Sequence, residues 1–129
     1  MKRAEFEAYI AETYNAQADH PWARYPRDEV FRHSNSGKWF ALVMEVAKAR
    51  LGLAEDGILD IVNLKCDPIV IGSLRGRPGF FPAYHMNKDS WITVALDGSV
   101  EADEVKALLD MSFELTRVKA KKRRAPEQD

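Results

Sequence analysis

The segment from Asn63 to Val94, NLKCDPIVIGSLRGRPGFFPAYHMNKDSWITV, constrains the fold more than any other part of the chain. At either end it belongs to a β-branched apolar run: ILDIVNLK (58–65) on one side and WITVAL (91–96) on the other. Runs of this length and composition read as strands. Between them, Asp67-Pro68 is a helix start, with Asp as N-cap and Pro at the first helical position. A short helix through Leu74 is expected, although Ile69, Val70, Ile71 and Gly72 are poor helix formers. The loop RGRPGFFPAY (75–84) follows, with two glycines and two prolines. Strand, helix, loop and strand in that order require a sheet with helices packed on it.

The flanking sequence supplies the other elements. Phe6, Tyr9, Ile10 and Tyr14 recur at helical spacing, so residues 3–14 read as an amphipathic helix. Asn15 to His20 read as breakers before Pro21. Trp22–Tyr25 and Val30–His33 read as the arms of a hairpin turning at Pro26-Arg27-Asp28. SNSG (34–37) is a turn leading into KWFALVMEV (38–46). Both faces of that segment are apolar, as in a central strand. AKARLGLAEDG (47–57) is mixed, framed by Gly52 and Gly57. From Glu101 a last helix is expected, with Val105, Leu108, Leu109, Ser112, Phe113 and Thr116 on one face. The predicted fold is α+β: a single domain over 1–116, with a mainly antiparallel sheet of five or six strands. The terminal helices are expected on one face, with a short internal helix and a partly open second face.

Charge is distributed unevenly. Six of the 19 basic residues fall in RVKAKKRR (117–124), and only two of the 20 acidic residues follow Thr116, which leaves the body about five units negative. A basic tail over 117–129, frayed or disordered, is expected. It could neutralise phosphates, but a solvated helix end accounts for it more simply. No apolar run reaches the roughly 18 residues that span a bilayer. MKRAEFEAYI lacks the apolar core of a signal peptide. A cytoplasmic protein, without a membrane partner, is expected.

Catalytic signatures are lacking. His20, His33 and His85 show no metal-ligand spacing, and the single cysteine, Cys66, excludes an internal disulfide. P-loop, GxGxxG, GxSxG and HExxH motifs do not occur, and RGRPG (75–79) is explained by a simple turn. No metal or cofactor is expected, and the protein is expected not to be an enzyme. A thiol–imidazole pair of Cys66 and His85 is the one exception. A small buried apolar residue is the commoner role for a lone cysteine. The cluster Tyr84-His85-Met86-Asn87-Lys88, leading into Trp91, is the candidate binding surface. Lys88 and Asn87 suit phosphate contact, and an exposed Tyr or Trp suits stacking on bases. Core packing is the simpler account of Trp91.

Three motifs resemble those of the MmcQ/YjbR family of small bacterial proteins: GKWFALV (37–43), NLKCDP (63–68) and YHMNKDSWITVALDG (84–98). In order and spacing the resemblance runs from Val30 to Phe113. One departure is Ser90, where the family often has histidine. The resemblance implies an antiparallel α/β domain like secretion chaperones and frataxin-like proteins, and a DNA-binding role described as a double wing. It carries over to Lys38, Lys65, His85, Asn87, Lys88 and Trp91. Arg75 and Arg77 join them as candidate nucleic-acid-binding residues, with Lys38, Lys65, Arg75, Arg77 and Lys88 expected to line one surface. The alternative is a protein-interaction or small-ligand-binding module, monomer or weak dimer, with an exposed patch including Phe80, Phe81 and Tyr84.

Overall fold

A computed structural model describes residues 1–117, so residues 118–129 of the expected tail lie outside the described residues. Three helices and one six-stranded antiparallel sheet make up the domain. In chain order the elements are α1 (Arg3–Thr13), β1 (Ala16–Asp19), β2 (Glu29–His33), β3 (Trp39–Ala47), β4 (Ile58–Lys65), α2 (Pro68–Leu74), β5 (Phe80–Pro82), β6 (Trp91–Ala95) and α3 (Ala102–Thr116). A 3-10 turn, Lys48–Leu51, follows β3. The strands lie in the order β1-β2-β3-β4-β6-β5. The expected α+β architecture is therefore present, with β3 and β4 at its centre.

All three helices pack on one face. Phe6 and Ile10 of α1, Ile71 and Leu74 of α2, and Val105, Leu108 and Leu109 of α3 share a core with Phe31, Val43, Val62, Leu64, Ile92 and Val94 of the sheet. The registers Glu29↔Val43↔Val62↔Val94↔Phe80 and Phe31↔Ala41↔Leu64↔Ile92 put these residues in two rows of one face. By the two-residue period, the intervening residues point to the other face. Asp67 caps α2 as expected, its carboxylate accepting from the Ile69 amide at 2.8 Å.

A bulge explains why the alternation of β3 is blurred. Phe31 pairs with Ala41 but Arg32 pairs with Trp39, so Phe40 is the extra residue. It turns into the helix-side core, between Tyr14, His33 and Phe113. Trp39 is left opposite Arg32, on the face away from the helices. Ser112 of α3 closes the resulting gap in the ladder, donating to the Phe40 carbonyl at 2.6 Å and accepting from the Lys65 amide at 2.8 Å.

Three expectations are corrected at the sheet edges. Trp22–Tyr25 is not a hairpin arm; Tyr25 N–H bonds Trp22 O and Asp28 N–H bonds Tyr25 O, which makes consecutive turns. The strand that pairs with β2 is Ala16–Asp19, within the stretch read as breakers. It lacks an apolar run because it is an edge, half solvated, with Asp19 held by Arg32 at 3.1 Å. The loop 75–84 likewise contains β5, a three-residue edge strand ending in Pro82. A proline is tolerated there because no further strand needs its N–H.

Loops 20–28, 48–57 and 83–90 stand over the second face. Val46, Leu59, Ile61 and Ala95 form a smaller core there, packed against Leu51, Leu53, Phe81 and Tyr84.

Candidate functional site

The loops leave an open cleft of about 510 Å³ on that second face, within the size range of ligand sites. Leu42, Met44 and Val46 of β3 form its floor, with Trp22, Trp39 and Tyr84 among its walls. Tyr25 also lines it and is 57% exposed.

Buried polar groups fix the wall that carries Tyr84 and His85. Asn63 and Thr93 pair across β4 and β6, and both are fully buried. The Thr93 hydroxyl donates to Asn63 Oδ1 and accepts from the Tyr84 amide at 2.8 Å, and Asn63 Nδ2 donates to the Tyr84 carbonyl at 2.9 Å. Both backbone polar groups of Tyr84 are thus tied to the sheet. His85 follows with φ 60°, the left-handed region that a non-glycine residue enters only when its surroundings impose it. Its ring stacks on Tyr84, centroids 4.0 Å apart.

All three tryptophans of the chain lie on this face. Trp22 meets Trp39 edge to face at 5.8 Å, and the Arg32 guanidinium lies 5.5 Å from the Trp39 ring centroid. On β6, Trp91 pairs with Lys65, whose ammonium lies 5.9 Å from its ring. With β4 between them, β3 and β6 run roughly 10 Å apart, so Trp39 and Trp91 stand on strands two spacings apart. Each ring is half-buried. Core packing, the simpler expectation for Trp91, is therefore not its arrangement.

The other candidates are dispersed. Arg77 is held by Glu104 of α3 in a bidentate pair at 2.7 and 2.9 Å, on the helix side. Arg75 and Lys88 border a separate pocket beside Phe80 and Pro82 at the β5 edge. The Lys88 ammonium donates to the Ala83 carbonyl at 2.9 Å, and Asn87 accepts from the Asp89 amide, so both shape the loop before β6. Lys38 is exposed at the start of β3. The eight residues do not form one surface: Lys65, Trp91 and His85 stand on the loop-bearing face, and Arg77 on the other. Of the residues named for the alternative reading, Phe80 is core, and Phe81 and Tyr84 are half-buried.

Cys66 and His85 are also separated by the sheet. Cys66 belongs to the helix-side core, where its thiol approaches Met111 sulfur at 3.9 Å and burial pushes its pKa up to about 11. That is the environment of an inert thiol.

Sequence reasoning missed Trp22, Trp39, Arg32 and Asp28. Asp28 is 6% exposed and lines the cleft, one carboxylate oxygen accepting from the Glu45 amide at 3.2 Å. Burial pushes its pKa up.

Comparison with known proteins places the chain in a family. The model of the YjbR family matches residues 11–115, a span that holds the whole cleft together with Lys65 and Trp91. The chain belongs to the YjbR family. It is 36% identical to the uncharacterised protein YyaQ of Bacillus subtilis, over 91% of this chain and 99% of that one. A Pseudomonas syringae crystal structure superposes with a TM-score of 0.87 at 45% identity, covering 91% of this chain and all of the other. A solution NMR structure from the same organism gives 0.83 at 44%, covering 94% and 97%. A Deinococcus radiodurans crystal structure, 24% identical, shares the fold with a TM-score of 0.70, covering 95% and 84%.

Proposed function

We propose that this YjbR-family protein is a non-catalytic DNA-binding module that takes single-stranded DNA on its loop-bearing sheet face. The observation that carries the reading is the gathering of all three tryptophans there, two of them beneath a basic side chain. Base stacking on aromatic rings supplies affinity without sequence preference, and nearby cations neutralise the backbone. Lys65 and Arg50 have no carboxylate within 4.0 Å among the described residues, and so remain available to phosphates. The acidic excess of the body does not oppose this locally. Of the carboxylates near the cleft, Asp28 is buried and Glu45 is paired with Arg27 at 2.5 Å.

Fluorescence anisotropy of labelled single- and double-stranded DNA, at low and near-physiological salt, tests the reading. Full-length protein and a chain ending at Thr116 are both expected to bind single strands, weakening as salt rises. Lys65→Glu is expected to weaken binding more than Lys48→Glu. Equal losses from the two, or binding that disappears with the tail, would overturn the assignment to this face.

A further inference from the structure

Within the cleft, Asp28 is a carboxylate with unused acceptor capacity. Only one of its oxygens is engaged, by the Glu45 amide. The second has no hydrogen-bond partner among the described residues, although the side chain is more than nine-tenths buried. A buried carboxylate with a vacant oxygen is costly unless a donor reaches it. Asp28 shares the cleft with the aromatic rings of Trp22, Tyr25, Trp39 and Tyr84, and with the polar side chains of Glu45 and His85. Arg50 lies at the same cleft, with no carboxylate within 4.0 Å among the described residues.

These features select one occupant. A flat heteroaromatic ring fits the aromatic walls. The ring edge facing Asp28 must carry donors, because a carboxylate only accepts. Guanine alone among the DNA bases presents two adjacent donors, N1–H and the 2-amino group, on its Watson–Crick edge. Adenine and cytosine each place a ring-nitrogen acceptor at that edge, and thymine flanks its single N–H with two carbonyls. We propose that the cleft is a guanine-selective base pocket, in which Asp28 accepts from N1–H and the 2-amino group while Arg50 holds the adjoining phosphate. The inference rests on the DNA-binding reading and adds a preference at one nucleotide to it.

The test uses the full chain and a nine-nucleotide oligothymidine whose central base is thymine, guanine or hypoxanthine. Hypoxanthine retains N1–H and lacks only the 2-amino group. Guanine is expected to tighten binding about tenfold over thymine, the scale of one bidentate base contact, and hypoxanthine is expected to lose most of that gain. Asp28→Asn keeps an oxygen for the Glu45 amide but puts an amino group where the free oxygen stood. It is expected to abolish the guanine preference, bringing the guanine and thymine oligonucleotides to within about twofold of each other, with thermal unfolding confirming that the variant is folded. Equal affinities for the three oligonucleotides would overturn the pocket while leaving DNA binding intact. If no oligonucleotide binds, the DNA reading fails, and quenching of tryptophan fluorescence by guanosine and inosine monophosphates decides the pocket separately. Stronger quenching by guanosine monophosphate, lost in Asp28→Asn, supports it; equal quenching by both overturns it.

Discussion

Replacing Asn63 by alanine removes the side chain that ties Tyr84 to the sheet. Asn63 is fully buried, donates to the Tyr84 carbonyl at 2.9 Å and accepts from Thr93. Alanine leaves that carbonyl and the Thr93 proton without partners in a buried layer. Each buried unsatisfied group costs about 1–3 kcal/mol, so the native loop arrangement loses roughly 3 kcal/mol. The left-handed conformation of His85 stores about 1–2 kcal/mol more, which the loop recovers by letting go. Partial release of residues 83–87 is therefore the expected response, with a net destabilisation of about 1–2 kcal/mol. For a domain of this size that corresponds to a fall in Tm of roughly 6 °C. Urea denaturation gives the free energy, and hydrogen exchange at the Tyr84 amide, which donates to Thr93 at 2.8 Å, reports the release. A loss below about 1 kcal/mol, with the Tyr84 amide as protected as in the wild type, would refute the claim that this pair holds the wall.

Three further outcomes follow from other parts of the fold. Glu29 lies beside Glu7 and Arg3, and burial, followed by its hydrogen bond to Glu7, pushes its pKa up to about 7. An acid raised on folding makes the native state bind more protons, so stability falls as pH rises from about 4.5 to about 7; Glu29→Gln is expected to remove about 1–2 kcal/mol of that fall after solvent screening, measured by urea denaturation at pH 5 and pH 8. Gly79 has φ +87°, and a Cβ there would sit 2.5 Å from Val100 Cγ2 and 2.8 Å from Ser99 Oγ, so Gly79→Ala is expected to cost about 2–4 kcal/mol in the same assay. Cys66, buried with its pKa pushed up to about 11, is expected to resist alkylation at pH 8 until the protein is unfolded; rapid labelling of the native protein would contradict its placement in the core.

The centre of the fold was legible because its signals are local. The β-branched run 58–65, the Asp67-Pro68 cap and the helical spacing from Val105 to Thr116 each determine an element by themselves. The edges were not. β1 is AQAD, whose strand character comes only from pairing with β2, and β5 hides among the prolines and glycines of 75–84. The site was obscured for a related reason. The outward direction of Trp39 depends on the Phe31/Arg32 bulge, and a bulge arises from the pairing of two strands. Had Trp39 been followed by strict alternation with Ala41 and Val43, it would have faced the helices. Asn63 was visible as a polar residue inside an apolar strand, a pattern that signals a buried hydrogen bond, but its partner lies 21 residues away at Tyr84. The clustering of Lys65 and Trp91 was legible as candidate residues and required the β4–β6 register to become a pair.

The central claim is that the tryptophan-bearing face takes single-stranded DNA, and an NMR titration with oligothymidine tests it most directly. The three indole N–H signals report Trp22, Trp39 and Trp91 individually, and amides of α1 and α3 report the opposite side of the sheet. Shifts are expected in all three indoles and around Lys65, with the outer surfaces of α1 and α3 unperturbed. Shifts concentrated on those helices, or indole signals that stay fixed while DNA binds, would contradict the account.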